Sequence, residues 1–459
     1  MARSSGIPAL VILLIVTAVI GGGGYFFFQD MDGPEIELSP QTERVGSNQE
    51  LTVIATDEKS PIKSIILTVR RGGRVKTFLE QTFEGDAETQ TIQFTLADAE
   101  LSEGAFDLEV RAVDGSFAGF GKGNATTRSY SLRLDNTPPK LSIKTQPPYV
   151  RRGGASCIVF TPSKEIKEAG VLVGEHFFPA YKMDNGDYLC FFAYPYFLES
   201  QDFQPQLTAV DLANNRATVR VPVYRVNRKF RSDAVDISDR FLEAKTPEFT
   251  VMVPGDMTPL ERFIKVTGEL RSANTAKLVE IGRDTAEVML WQDPFLRQAG
   301  ASRAGFADHR TYVYKGEKLE VESTHLGLDI ASTVHSPIGA SNSGKVVFAD
   351  YLGIYGNLVV VDHGLGLQSI YSHLSQIDVS VGQEVKRGEL LGLTGETGVA
   401  FGDHLHFGIA ISGMEVTPIE WLDGQWIIDN ITSRIINAGG TAPSVSLPAP
   451  PPASPRNRR

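Results

Sequence analysis

Gly402-Asp403-His404-Leu405-His406-Phe407 sets two histidines two residues apart, with a leucine between them. On a strand, residues i and i+2 point to one face and i+1 to the other. Read that way, two imidazoles project side by side while Leu405 turns to a core. One ring can then bind a metal while the other works beside it as acid or base. The surrounding chain, from Trp291 to Asn430, is short apolar runs broken by many glycines, which reads as a β-rich domain.

Working outward, six of the eight histidines fall between His325 and His406. His325-Leu326-Gly327-Leu328-Asp329 supplies a second pair of metal-type ligands. On a straight strand the two would lie roughly 13 Å apart at ~3.3 Å per residue. The segment must therefore bend for both to reach one ion, and Gly327 is the place for the bend. Two imidazoles and a carboxylate suit zinc, and a catalytic zinc keeps three protein ligands and one open position. His373, in Tyr371-Ser372-His373-Leu374, and one ring of the His404/His406 pair are left for acid–base work and oxyanion stabilisation. His363 sits in a strand-end turn and reads as structural, while His309 and His335 have no motif that supports a ligand role.

His325-x-x-x-Asp329, Tyr371-Ser372-His373-Leu374 and Gly402-Asp403-His404-Leu405-His406-Phe407, taken in order, resemble the motifs of the lysostaphin-type (LytM-like) zinc endopeptidases. Gly356-Asn357-Leu358-Val359-Val360-Val361-Asp362-His363-Gly364 and Gly392-Leu393-Thr394-Gly395-Glu396-Thr397-Gly398 extend the resemblance, which covers roughly Phe295 to Trp421. It implies zinc (Zn2+) held by His325, Asp329 and His406, with His373 and His404 in the catalytic roles. It also implies peptidoglycan as substrate, cut at peptide bonds of stem peptides or cross-links. The alternative is a non-catalytic envelope scaffold or activator of other wall hydrolases, as in relatives that lose their ligands. Departures are small: Ala307 and His309 stand where Gly and Arg are more usual, and Thr417 where Asn is common. The run from Val379 to Gly392 also resembles the half-barrel of biotinyl and lipoyl carriers. Lys345 and Lys386 are not at an exposed hairpin tip, so the carrier function is set aside.

The rest of the 459-residue chain divides by pattern. Residues 33–135 alternate in short runs such as Ile65-Ile66-Leu67-Thr68-Val69, and residues 138–226 do so again. Ala112-Val113-Asp114 is echoed by Ala209-Val210-Asp211, about one sandwich later. Asp135-Asn136-Thr137-Pro138-Pro139 and Ala209-Val210-Asp211-Leu212-Ala213-Asn214-Asn215 resemble motifs of bacterial immunoglobulin-like domains, which implies spacers or docking modules for an envelope protein partner. Residues 227–290 change period. Thr258-Pro259-Leu260-Glu261 is a capping box with proline at the first helical position, and Leu260, Phe263, Ile264 and Leu270 follow as an apolar stripe. This helical connector either packs on its neighbours or regulates the cleft.

At the other extreme, Ile7 to Ile20 is an unbroken apolar run that Tyr25-Phe26-Phe27-Phe28 continues, with Arg3 before it and Asp30, Asp32 and Glu35 after it. It is long enough to cross a bilayer, and its flanks place the remainder outside. The expectation is a single-pass inner-membrane anchor over residues 1–32 with the bulk of the chain in the periplasm, a cleaved signal peptide being the rival. Residues 439–459, rich in Pro, Ala and Ser, read as a disordered tail. A net charge of −11 argues against a nucleic-acid partner. Cys157 and Cys190 are the only cysteines, either a disulfide or two buried thiols. The expected architecture is thus mainly β: a transmembrane helix, two immunoglobulin-like β-sandwiches, a short helical connector and a half-barrel peptidase domain over residues 291–432.

Overall fold

The computed structural model describes residues 11–19, 21–22 and 30–445. They form a mainly β protein that divides into two compact units, residues 1–139 with 210–216, and residues 140–209 with 217–459.

The first unit is two mainly antiparallel sheets around one core, the larger with one short parallel edge strand, Arg44–Val45. Glu35–Ser39, Leu51–Thr56 and Thr89–Phe94 make the smaller sheet. Gly104–Asp114 lies between Ala125–Leu134 and Ile62–Arg71 in the larger. Alternation decides the buried face: Leu51, Val53 and Ala55 are fully buried and Thr52, Ile54 and Thr56 half-buried.

The second unit contains most of two four-stranded sheets, from residues 141–209 and 217–220, a helical stretch, and the histidine-bearing sheet. One apolar core runs through it from Val150 to Ala438. Trp421 packs edge-on against Phe191 with ring centres 5.9 Å apart, which joins the histidine-bearing region to the Tyr188–Ala193 strand. The capping box at Thr258 forms, with Glu261 N donating to Thr258 Oγ1 at 3.2 Å and Thr258 N to Glu261 Oε2 at 2.7 Å. The helix Pro259–Lys265 continues through one wider turn into Arg271–Ile281. Ahead of it, Ser232–Ile237 is a strand rather than a helix and pairs in parallel with Asp308–Tyr314.

The histidine-bearing sheet has eight strands. Its centre reads Leu328–Ala331, Leu405–Ile411, Leu367–Leu374, Asn357–Asp362 and Gly344–Tyr351, each antiparallel to the next. Every side chain of Leu367–Leu374 and Leu405–Ile411 is buried, as befits strands covered on both faces.

Two expectations are resolved here. The single-pass inner-membrane anchor over residues 1–32 is corrected: among the described residues no helix is long and apolar enough to cross a membrane. The described helical residues there are 11–19 and 21–22. The rest of that stretch, residues 1–10, 20 and 23–29, lies outside the described residues, as does the tail from residue 446. Cys157 and Cys190 are both free and buried. Register pairs Cys157 with Phe191 and Ile158 with Cys190, so the two thiols point to opposite faces of one sheet.

Candidate metal centre and catalytic cleft

His325 ends the strand Glu317–His325, and Asp329 lies in the next strand, Leu328–Ala331, of a different sheet. The chain turns between them at Leu326-Gly327, where the sequence required a bend. Gly327 is needed there for space: a Cβ on it would stand 2.6 Å from His406 Nε2 and 2.7 Å from the Phe407 carbonyl oxygen. Register then does the assembly, because Asp329 pairs directly with His406, and His406 pairs on its other side with Ser372.

The result is a tight triangle. His325 Nε2 lies 2.7 Å from Asp329 Oδ1 and 2.9 Å from His406 Nδ1, and His406 Nδ1 lies 3.0 Å from Asp329 Oδ1. All three residues are buried. His325 Nδ1 donates to the Gly305 carbonyl at 2.7 Å, and a carbonyl only accepts. His325 therefore presents Nε2 as a lone pair. A neutral His406 brings at most one proton to three acceptor atoms, whereas a cation satisfies all three together. The donor set fits zinc in kind and number. Asp329 Oδ2, the oxygen outside the triangle, is held by Arg310 Nη2 at 3.1 Å. Burial works to raise the Asp329 carboxyl, but the close approach of the His325, His404 and His406 imidazoles outweighs it and holds the group well below the usual carboxylate range. Burial pushes His406 down to about 4.

His373 and His404 stand beside the triangle. Their ring centres are 4.9 Å apart, and His373 is 5.8 Å from His406. A regular strand would turn the side chain after Ser372 to the opposite face. His373 instead has φ of +64°, which breaks the alternation and brings its ring to the cluster. Its Nδ1 donates to the Thr397 carbonyl at 2.8 Å, leaving Nε2 free of a proton in the neutral ring. Burial, then the neighbouring His404 and His406, hold His373 well below the usual histidine range. His404 lies just before the Leu405–Ile411 strand, in an isolated bridge to Gly395. Its Nδ1 donates to the Gly402 carbonyl at 2.8 Å, and its Nε2 is 3.5 Å from Asp329 Oδ1. Burial alone would lower it, but the hydrogen bond to Asp329 prevails and raises it. Leu405 faces the core, as the alternation requires.

The five residues therefore converge, at the floor of a cleft of about 810 Å³. Arg271 and Thr275 of the helical stretch, Arg231 just before the Ser232–Ile237 strand, and Tyr196 also line it. That stretch also grips the rim: Glu248 Oε2 accepts from Gly398 N at 2.9 Å, Lys245 Nζ donates to the Glu396 carbonyl, and Phe241 stacks on Phe401 at 4.2 Å. The remaining histidines stay outside the cluster. His363 is enclosed between the Ser343 carbonyl and Ser369 Oγ, both at 2.8 Å, and burial lowers it to about 4. His309 pairs with Glu322, and His335 is exposed. Tyr371 is structural too, its hydroxyl accepting from Ser341 N at 2.6 Å. Arg310, which holds Asp329, is the residue beside the triangle that the sequence left unread.

A family model described as peptidase family M23 matches residues 323–418, the span that contains all five residues. Residues 323–418 are an M23 peptidase domain. Over 95 residues the chain is 38% identical to the DD-carboxypeptidase/endopeptidase Mpg of Neisseria meningitidis serogroup B, covering 21% of this chain and 22% of that protein. Over 96 residues it is 38% identical to the peptidoglycan DD-endopeptidase ShyA of Vibrio cholerae, again 21% of this chain and 22% of that protein. The murein hydrolase activator EnvC of Escherichia coli is 36% identical over 107 residues, 23% of this chain and 26% of that protein. The chain thus spans about a fifth of the length of the first two of these relatives.

Proposed function

We propose that this protein is a zinc endopeptidase that hydrolyses peptide bonds in peptidoglycan. The observation that carries the reading is the convergence of His325 Nε2, Asp329 Oδ1 and His406 Nδ1 within 3.0 Å of one another. Bound by those atoms, zinc would supply a Lewis acid that polarises a carbonyl and brings the pKa of water near 7. The chain's own residues do the rest. His373, with its proton on Nδ1, offers Nε2 to accept the proton of the attacking water. His404, whose charged form Asp329 favours, then carries a proton on Nε2 as well as Nδ1 and offers that Nε2–H to the oxyanion of the tetrahedral intermediate. Arg310 keeps the Asp329 carboxylate oriented.

The likeness to Mpg and ShyA supports peptidoglycan as the substrate. The likeness to EnvC supports a second reading, a non-catalytic activator of other wall hydrolases. Retention of all three ligand atoms and both flanking imidazoles favours hydrolysis. The test is release of soluble muropeptides from purified peptidoglycan by the full chain with added zinc, beside His406→Ala and a chelated control. New peptide termini that vanish in both controls are the expected result. No release by a chain that binds one zinc at the triangle would overturn hydrolysis in favour of the activator.

A further inference from the structure

The first compact unit holds a second cluster of ionisable groups, unconnected with the M23 chemistry. Asp30, Asp57 and Asp114 are 6%, 7% and 2% exposed, and each brings an oxygen within 4.8 Å of the other two. Asp57 follows the Leu51–Thr56 strand of the smaller sheet, and Asp114 ends the Gly104–Asp114 strand of the larger. Asp30 comes from the segment ahead of the first strand.

Among the described residues, only neutral donors reach the three carboxylates. Asp57 Oδ1 accepts from Lys59 N and Ser60 N, both at 2.9 Å. Asp114 Oδ1 accepts from Ser116 N at 2.9 Å and Asn124 N at 2.7 Å, and Asp114 Oδ2 from Asn124 Nδ2 at 3.1 Å. Asp30 Oδ2 accepts from Ser60 Oγ at 2.5 Å. The other oxygen of the same carboxylate, Asp30 Oδ1, is buried with no donor among the described residues. The nearby ammonium, Lys59 Nζ, is half-exposed and pairs with Asp32 at 2.7 Å instead. Three buried carboxylates at this separation repel one another, and a buried acceptor without a partner is costly. A cation placed among them removes both penalties.

We propose that Asp30, Asp57 and Asp114 bind one divalent cation, Ca2+. The available ligands are all oxygens, with no imidazole or thiolate in the set, which is the chemistry of a hard cation. Such an ion ties the segment at Asp30 to one strand of each sheet, so that it cross-links both layers of the unit. The inference does not depend on the proposed hydrolysis.

The test uses the full chain stripped by chelator and titrated with Ca2+ in a calorimeter. One saturable Ca2+ site is expected, and His406→Ala leaves it intact. Asp30→Asn and Asp57→Asn weaken it at least tenfold. Asp30 lies outside any strand, so Asp30→Asn cuts into no ladder. At a hundredfold excess over Kd, Ca2+ raises the unfolding midpoint of the wild-type unit by on the order of 10 °C and leaves that of Asp30→Asn nearly unmoved. Absence of saturable binding, equal binding by wild type and Asp30→Asn, or loss of the site in His406→Ala would each overturn the proposal.

Discussion

Arg310 acts on the triangle through the oxygen of Asp329 that does not belong to it. Without that clamp the carboxylate rotates more freely and Oδ1 spends less time facing the two imidazoles. Arg310→Ala is expected to lower zinc affinity by about 10- to 100-fold, the usual cost of losing a partner that orients a ligand. Competition against a chromogenic chelator measures it, and an unchanged affinity would show that the clamp is idle. Gly327→Ala is a harsher change, because the added methyl meets the Phe407 carbonyl as well as the His406 ring, and the carbonyl belongs to a central strand. Muropeptide release should fall by roughly 100-fold or more with far-UV circular dichroism intact, the scale expected when an essential group moves by about 1 Å. Retained release would mean that the turn at Leu326-Gly327 yields instead. The bend was legible because spacing alone forbids a straight strand from joining His325 to Asp329. The positive φ of His373 was not, since nothing in Tyr371-Ser372-His373-Leu374 signals a left-handed residue. Arg310 was in plain sight, but its contact depends on how the Asp308–Tyr314 strand registers against Glu317–His325.

At the scale of elements, local signals were the legible ones. The capping box at Thr258 involves residues three apart and forms whatever the chain does elsewhere. The Ser232–Ile237 strand escaped notice because its parallel partner, Asp308–Tyr314, lies about 75 residues away and no turn connects them. The short helix Pro418–Leu422 carries another long-range link: Glu420 Oε2 accepts from Ala155 N at 2.8 Å, and burial raises its carboxyl to about 8. Its ordinary value is 4.5, so between pH 4.5 and 8 the folded chain holds a proton that the unfolded chain releases. The stability from this group is complete below pH 4.5 and is lost as pH rises through 8. Glu420→Gln keeps an acceptor for Ala155 N and removes the titration. Relative to wild type, the variant should gain on the order of a few kcal/mol between about pH 5 and pH 8 in denaturant unfolding. A difference that is flat across that range would show that Glu420 is ionised in the folded chain.

Over the whole molecule, changes of pattern at residues 226 and 290 were legible, but the faces that meet across them were not. The alternating runs of residues 141–220 announce sheets, yet nothing in them tells that Phe191 will receive Trp421, or that Cys157 Sγ will lie 3.4 Å from the Asn430 carbonyl. The apolar core therefore continues from those sheets into the M23 domain, while the first unit keeps a core of its own, with Val53, Leu67 and Val110 at its centre. Units with separate cores can unfold separately, whereas sheets that share one core unfold together. Calorimetry of the full chain is expected to show two transitions rather than three. All three candidate ligand atoms belong to the second unit, so zinc held by them would bind only its folded form. Saturating zinc should raise the midpoint of one transition and leave the other in place, and His406→Ala should abolish the shift. A third transition that ignores zinc and is lost on removing residues 140–226 would mean that the shared core does not couple those sheets to the M23 domain. A zinc shift of both transitions by the same amount would mean that the chain unfolds as one cooperative body.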